Sequence, residues 1–362
     1  MKSNVPEISV LLPCRNMAAW LPECIESIEA QSLPDYEVLA VDDRSTDETG
    51  ALLRRWSARD DRVRVLEVAP GFAPGSLRRG ENGTPEEGML EDGLVRALDL
   101  AVSASRAPLL ARMDGDDIAE TRRLELQRDF LAARPGLGAC GTAVELFPRS
   151  EVGEGYGRYE AWLNGLSDPA ELWRDLFVEC PVAHPTLMIR RSVLSGLGGY
   201  RDPGWPEDYD LILRLHAAGM RIGNLREPLL RWRVSPDRHS LASDRYSAGA
   251  FRRCKVHVLD QAFLPVSRPL VVWGAGKVGK PLARELIRQG RPVTAFVDLD
   301  VRKIGQEIHG APVLDPGGFK ILASRDDPYV LAAVGSPGAR EEIRGALDAL
   351  GRREIEDYRV CA

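Results

Sequence analysis

Short apolar runs alternate along this chain with stretches in which apolar residues recur every three or four positions. "ISVLLP" (residues 8–13) reads as a buried strand. "WLPECIESIEAQSL" sets Leu21, Cys24, Ile25 and Ile28 on one helical face, with Pro22 suited to a first turn. "YEVLAVDD" is a second buried strand, ending on Asp42 and Asp43; "DETGALLRRWSA" predicts a helix and "VRVLEV" a third strand. Such alternation predicts a parallel sheet with helices on its faces. Residues 69–88 are rich in Gly and Pro and read as a long loop, a candidate lid. "LEDGLVRALDLAVSAS" then predicts a helix, "APLLARM" a strand, and "RRLELQRDFLAARPG" a helix with a Pro-Gly stop. An irregular stretch is expected from Pro148 to about Gly165, and "PEDYDLILRLHAAG" is a helix entered through acidic residues. Near residue 266 the pattern resets to strand, Gly-rich turn, helix and strand in "RPLVVWGAGKVGKPLARELIRQGRPVTAFVDLD". The expectation is two α/β domains, residues 1–265 and 266–362.

Composition narrows the class. The 362 residues are 44% hydrophobic and 28% charged, suited to a soluble chain with a real core. A net charge of -6, with no basic block, argues against nucleic acid as a partner. The six cysteines are scattered without a CxxC pair, which disfavours zinc or a disulfide framework and suits a reducing cytosol. The apolar run at residues 8–13 is too short for a signal-peptide core or a membrane span. A cytoplasmic location is expected, with peripheral contact at the inner face of a membrane left open.

"RMDGDDI" places Asp114, Asp116 and Asp117 within four residues at the end of an apolar run. Each like charge raises the cost of ionising the next, so something must offset the repulsion. Ligands of parallel α/β sheets bind beyond the carboxyl ends of the strands. With Gly115 between them, Asp114 and Asp116 can converge on a hard cation such as Mg²⁺ or Mn²⁺. Aspartates also favour turns, and Asp117 could cap the helix near Arg122. Spacing alone leaves both readings open. It does exclude an EF-hand, which needs a longer acidic pattern.

The companion motifs carry a resemblance. "ISVLLPCRNMAAWLPECIESIEAQSLPDYEVLAVDDRSTDET", "ARMDGDDIAETRRLELQ", "HPTLMIRRSVLSGLGGYR", "PEDYDLILRL" and "LLRWRVSPDRHS" resemble, in order, blocks of the family 2 glycosyltransferases over about residues 6–245. The resemblance implies a GT-A fold and a metal-dependent, inverting transfer from a nucleotide-sugar donor, most simply a UDP-sugar. The acceptor would be a glycan, lipid-linked or other hydroxyl in surface polysaccharide or glycoconjugate synthesis. It implies that Pro13 and Arg15 border the base and that Asp43, with Asp42 less directly, holds the nucleoside. Asp114 would reach ribose or metal, and Asp116 would bind Mn²⁺ or Mg²⁺, with His239 completing the ion's shell. Asp208 would be the base that takes the acceptor's proton, with Glu207 beside it. His184 would lie near the acceptor, and Arg233 and Arg238 on a cationic loop that could close over the diphosphate. The bland alternatives are a cap for Asp43, a helix N-terminus for Glu207 and Asp208, and a solvated loop for the basic residues. The sequence departs from the family where "RALD" places Asp99 instead of the usual Asn, which bears on the donor sugar.

In the second domain Gly274, Gly276 and Gly279 form GxGxxG after a strand and before a helix, and Asp298 follows 24 residues after Gly274. That context fits a dinucleotide-type turn, with phosphate at the helix N-terminus and Asp298 on a ribose hydroxyl. Pro281 occupies the place where a P-loop needs Ser or Thr. The segment resembles the N-terminal nucleotide-binding-like domain of bacterial sugar acyltransferases, through "GAGKVGK" and "FVDLDVRKIGQEIHGAPVL". A nucleotide site and a ligand-free Rossmann-like docking module both stay open. The rivals to catalysis are a sugar-nucleotide sensor that has lost activity and a nicotinamide-dependent sugar oxidoreductase; the intact "DGDD" and "PED" favour the transferase.

Overall fold

The computed structural model describes residues 5–68, 93–234, 243–336 and 338–362, which form two compact units. The candidate lid at residues 69–88, together with Arg238 and His239, lies outside the described residues.

The first unit comprises Met1–Pro169, Val182–Leu211 and Ala218–Ala242. Its strands are β1 (Ile8–Cys14), β2 (Tyr36–Asp42), β3 (Val63–Glu67), β4 (Leu109–Arg112), β5 (Ile118–Ala119), β6 (Leu137–Phe147), β7 (Met188–Arg190) and β8 (Arg221–Arg233). They form one sheet in the order β3-β2-β1-β4-β7-β6-β8-β5. The first four are mutually parallel, with Val10 paired to Val38 on one side and Ala111 on the other. The sheet turns antiparallel where β4 meets β7. All seven residues of β1 are buried, as expected of a central parallel strand covered on both faces.

The helices of this unit follow the apolar spacing. They are α1 (Leu21–Glu29), α2 (Thr49–Ser57), α3 (Gly93–Ala104), α4 (Arg123–Ala132) and α5 (Glu154–Gly165). Next come α6 (Pro169–Asp175), which past Pro169 belongs to the second unit, α7 (Arg191–Gly196), and α8 (Glu207–Ala217), whose residues from Ile212 on belong to the second unit. In α1 the buried residues include Leu21, Cys24, Ile25 and Ile28, each Leu or Ile worth roughly 1.5–3 kcal/mol when covered. Helix α5 corrects the irregular stretch expected from Pro148 to Gly165. Its propensity is poor, with Gly at 155 and 157, and only Leu163 is buried. Partners on β6 hold it: Glu160 accepts from the Leu146 N–H at 2.8 Å, and Asn164 bonds both the N–H and the carbonyl of Val144. Tertiary contacts outweigh weak intrinsic preference here.

The second unit comprises Ser243–Ala362 with Ala170–Pro181 and Ile212–Ala217, so the expected boundary near residue 266 falls inside it. Its elements are α9 (Ala248–Val258), β9 (Leu270–Trp273), α10 (Gly279–Arg288), β10 (Ala295–Val297), β11 (Glu307–Ile308), β12 (Ala311–Leu314), α11 (Pro316–Asp326), β13 (Tyr329–Ala332), α12 (Ala339–Asp348) and β14 (Tyr358–Val360). The sheet order is β11-β12-β10-β9-β13-β14, parallel except for the β11–β12 pair. The order therefore reverses between β9 and β13, the place where doubly wound sheets open a crevice. The earlier pieces of chain are tied in by charge: Asp175 accepts from Arg344 at 2.5 Å, and the half-buried Lys255 donates to the carbonyls of Val178 and Cys361. All six cysteines are free and buried. Among the described residues, no helix is long and apolar enough to cross a membrane.

Candidate active site

The parallel pairing of β2, β1 and β4 brings their carboxyl ends to one edge. Cys14 lies opposite Asp42, and Leu11 opposite Arg112. The loops after β1 and β2 then interlock. Asn16, in the left-handed region at φ 53°, accepts from the Thr46 N–H at 2.8 Å, while its own N–H donates to the Ser45 hydroxyl. The N–H groups of Met17 and Ala18 donate to Thr49 and Asp47. The polar run after Asp43 is thus largely a clasp. Asp42 belongs to it, because its Oδ1 accepts from the Ser45 N–H at 3.0 Å.

Asp43 does something else. It is buried, and its carboxylate faces Arg44 at 3.0 Å and Arg15 at 3.5 Å, both with about half of their side chains exposed. The carboxylate also lies against the first residue of α3. A Cβ on Gly93 would come within 1.7 Å of Asp43 Oδ2, so glycine makes room for the acid there. A helix start favours a negative charge. Pro13 is buried inside β1, paired with Val41.

The aspartate turn follows β4. Asp114 and Asp116 are half-buried and Asp117 is buried. Asp114 Oδ1 accepts from Arg112 Nη2 at 2.6 Å; its Oδ2 makes no bond among the described residues. Asp117 accepts from the Arg233 N–H at 2.8 Å and therefore joins the turn to β8. It does not cap α4, whose N-cap residue is Arg122 and which has no side-chain capping bond. Arg233 is no solvated loop residue. Its Nε donates to the Asp116 carbonyl at 2.7 Å, its Nη2 pairs with Glu23, and its guanidinium lies over the Phe147 ring.

Arg112 is the hub that sequence reasoning missed. A guanidinium inside "LLAR" is 2% exposed, and a buried cation must find an anion. It binds Asp114 and lies within the field of the Glu207 carboxylate, with Tyr200 nearby. Beyond it, His184 Nε2 meets the Tyr200 hydroxyl at 3.0 Å, and His184 Nδ1 lies 3.7 Å from the buried Glu207 carboxylate. Burial, and then the positive field of Arg112, drive the His184 pKa well below its usual range, so the imidazole is neutral. Asp208, next along α8, is only half-buried, with its Oδ1 on the Tyr209 N–H at 2.7 Å. Asp99 faces Tyr200 as well, which sets the departure from the family pattern close to this cluster. Arg112 and Tyr200 were readable at most as a lone cation in a strand and an aromatic after "LGG".

Asp114 and Asp116 suit a hard divalent ion: two carboxylates from one tight turn, one with an oxygen left open. Among the described residues no set of three or more His, Cys, Asp or Glu is placed to hold an ion by itself. Elsewhere, Gly274, Gly276, Gly279 and Asp298 meet at the ends of β9 and β10, in the second unit.

Comparison with known proteins gives consistent matches. Residues 9–76 match the family model described as Glycosyl transferase family 2. The chain is 30% identical over 277 residues to the putative glycosyltransferase EpsE of Bacillus subtilis, covering 74% of this chain and 88% of that one. It is 27% identical over 257 residues to the O-antigen biosynthesis glycosyltransferase WbnJ of Escherichia coli, covering 70% and 88%. Among solved structures, TarS 1–349 of S. aureus, in complex with UDP-GlcNAc, matches with a TM-score of 0.54 at 15% identity, over 78% of this chain and 72% of that one. That last likeness concerns the fold, and it bears out the expected GT-A architecture.

Proposed function

The chain belongs to the glycosyltransferases of family 2, and on that premise we propose that it is a metal-dependent, inverting transferase that moves a sugar from a UDP-sugar to a hydroxyl acceptor. The acceptor would be a glycan or lipid-linked hydroxyl in surface polysaccharide or glycoconjugate synthesis, a reading supported by the O-antigen role in the name of WbnJ. A cytoplasmic site of action, peripheral at the inner face of the membrane, is part of the same proposal.

The carrying observation is the Asp114–Arg112 pair beside Asp116, with Glu207 in the field of Arg112 and the neutral His184 3.7 Å from the Glu207 carboxylate. Asp43 and Arg15 hold the nucleoside end, in keeping with the pair they make beside α3. Asp114 and Asp116 hold Mn²⁺ or Mg²⁺, which when bound offsets charge developing on the departing nucleoside diphosphate. Asp208 takes the proton from the acceptor hydroxyl as its oxygen attacks the anomeric carbon opposite the leaving group. Glu207, held against His184, is the neighbouring carboxylate at the start of α8. The neutral His184 and Tyr200 position the acceptor side. A nucleotide-sugar panel read by melting temperature, with and without Mn²⁺, tests this reading. The expected result is a metal-dependent rise with UDP-sugars; equal responses with and without metal would remove the ion from the proposal.

A further inference from the structure

The second unit contains a cavity of about 600 Å³ that the transfer chemistry does not use. It lies at the carboxyl ends of β9, β10 and β13, where the strand order reverses. Its volume is in the range of small-molecule sites, roughly 300–1,000 Å³. Its mouth is formed by the glycine turn, and the three glycines there have different causes. Gly274 has φ +119°, and a Cβ would come within 2.6 Å of the Ala333 carbonyl. A Cβ on Gly279 would come within 1.7 Å of the Gly274 carbonyl. Packing of the turn alone requires those two. At Gly276 a Cβ would meet nothing within 4 Å, and its backbone is not in the left-handed region. The fold makes no demand for glycine at 276; a ligand filling the cavity and pressing on the turn would.

Charge and apolar surface agree on what that ligand is. Lys277 is exposed on the turn and makes no bond or ion pair among the described residues. Lys303, also on the lining, is held by Asp298 at 2.9 Å. Helix α10, ten residues long, starts behind the turn with no side-chain cap; the Lys280 N–H is taken by the Gly276 carbonyl and Pro281 has none, so the N–H groups of Gly276 to Gly279 are those left for an anion. Leu299 is 68% exposed and Val278 37%, apolar side chains left in water at the lining.

Asp298 is already engaged within the turn. Its Oδ2 accepts from the Ala275 N–H at 2.8 Å and from Lys303, and its Oδ1 from the Asp300 N–H at 2.9 Å. Three of about four acceptor positions of a carboxylate are filled. It is a strut of the turn with most of its acceptor positions filled, so the anionic end of the ligand supplies the main anchor.

We propose that this cavity binds a nucleotide by its phosphates, on the backbone of Gly276–Val278 between Lys277 and Lys303, with the base against Val278 and Leu299. The test is calorimetry on the full chain with ADP, NAD⁺, UDP and inorganic phosphate, for wild type, Gly276→Glu and Lys277→Glu. At least one nucleotide should bind wild type and lose tenfold or more in affinity in both variants. A purine nucleotide would show one site; UDP would show a second site, the one these variants remove. Inorganic phosphate should bind far more weakly; if it binds as tightly as the nucleotides, the base-binding half is overturned. Variants that melt with wild type and bind every nucleotide as wild type does overturn the whole. Should Gly276→Glu lower the melting temperature, Lys277→Glu decides alone, because that side chain has no partner to lose. Asp116→Ala should leave purine binding unchanged, so this outcome is independent of the proposed transferase.

Discussion

Asp43 and Asp298 hold the same topological place. Each follows the second strand of a parallel sheet, beside the loop that leaves the first. In the first unit that loop has no glycine and is held by Asn16, Ser45, Thr46, Asp47 and Thr49, with Asp42 closing its own turn. Asp43 is left facing two half-exposed arginines beside the start of α3. In the second unit no other side chain among the described residues holds the glycine turn, and Asp298 holds it by accepting from the Ala275 N–H. Where the clasp is built from other side chains, the acid stays available; where the loop is glycine, the acid becomes the clasp. Position in a fold therefore nominates a carboxylate, and the donors already bonded to it decide its work.

Several substitutions would break or sharpen that contrast. The largest effect is expected from Asp208→Asn, which should lower transfer by roughly 10²–10⁴-fold while UDP binding by calorimetry persists. Near-normal transfer would remove Asp208 as the base. Asp116→Ala should lower metal-dependent turnover by about 10²–10³-fold, and unchanged metal response would refute the ion site. Asp43→Asn should weaken UDP binding by about 1.5–3 kcal/mol with little change in melting temperature. Asp298→Asn should do the reverse, leaving UDP binding in the first unit alone and lowering stability by about 1 kcal/mol. A swapped outcome would end the comparison.

The Asp298 effect has a pH signature. Burial raises its pKa, but the Asp300 N–H, Lys303 and the Ala275 N–H together hold it below the usual carboxylate value. A depressed folded pKa gives stability that is present above about pH 4 and lost as pH falls through the folded value. The gap between wild type and Asp298→Asn should therefore close in acid, as read by denaturant melts at a series of pH values. Last, Gly279→Ala should cost about 1–3 kcal/mol by forcing a Cβ onto the Gly274 carbonyl, while Gly276→Ala should be near neutral. Equal costs would mean that the two glycines do not differ in cause.

Much of the scaffold was legible. β1, α1, β2 and β4 lie where their apolar periods put them, and the aspartates of "RMDGDDI" follow a strand as expected. Helix α5 was not legible, because Glu160 and Asn164 find their partners on β6, 14 and 20 positions back along the chain. Arg112 was visible as a charge in an apolar strand, yet its reach to Tyr200 and Glu207 joins positions almost ninety or more residues apart. Arg233 read as a loop cation, and its bond to the Asp116 carbonyl spans 117 positions.

The chain's own pattern thus determined the alternation of strands and helices, the glycine spacing at 274–279, and the strand ends where acids gather. It could do so because periods of two and 3.6 residues and backbone freedom are local properties. Only the tertiary structure decided which acid is a strut and which is open. A carboxylate's remaining acceptor sites depend on N–H groups and cations delivered from distant segments, and no local pattern encodes those deliveries.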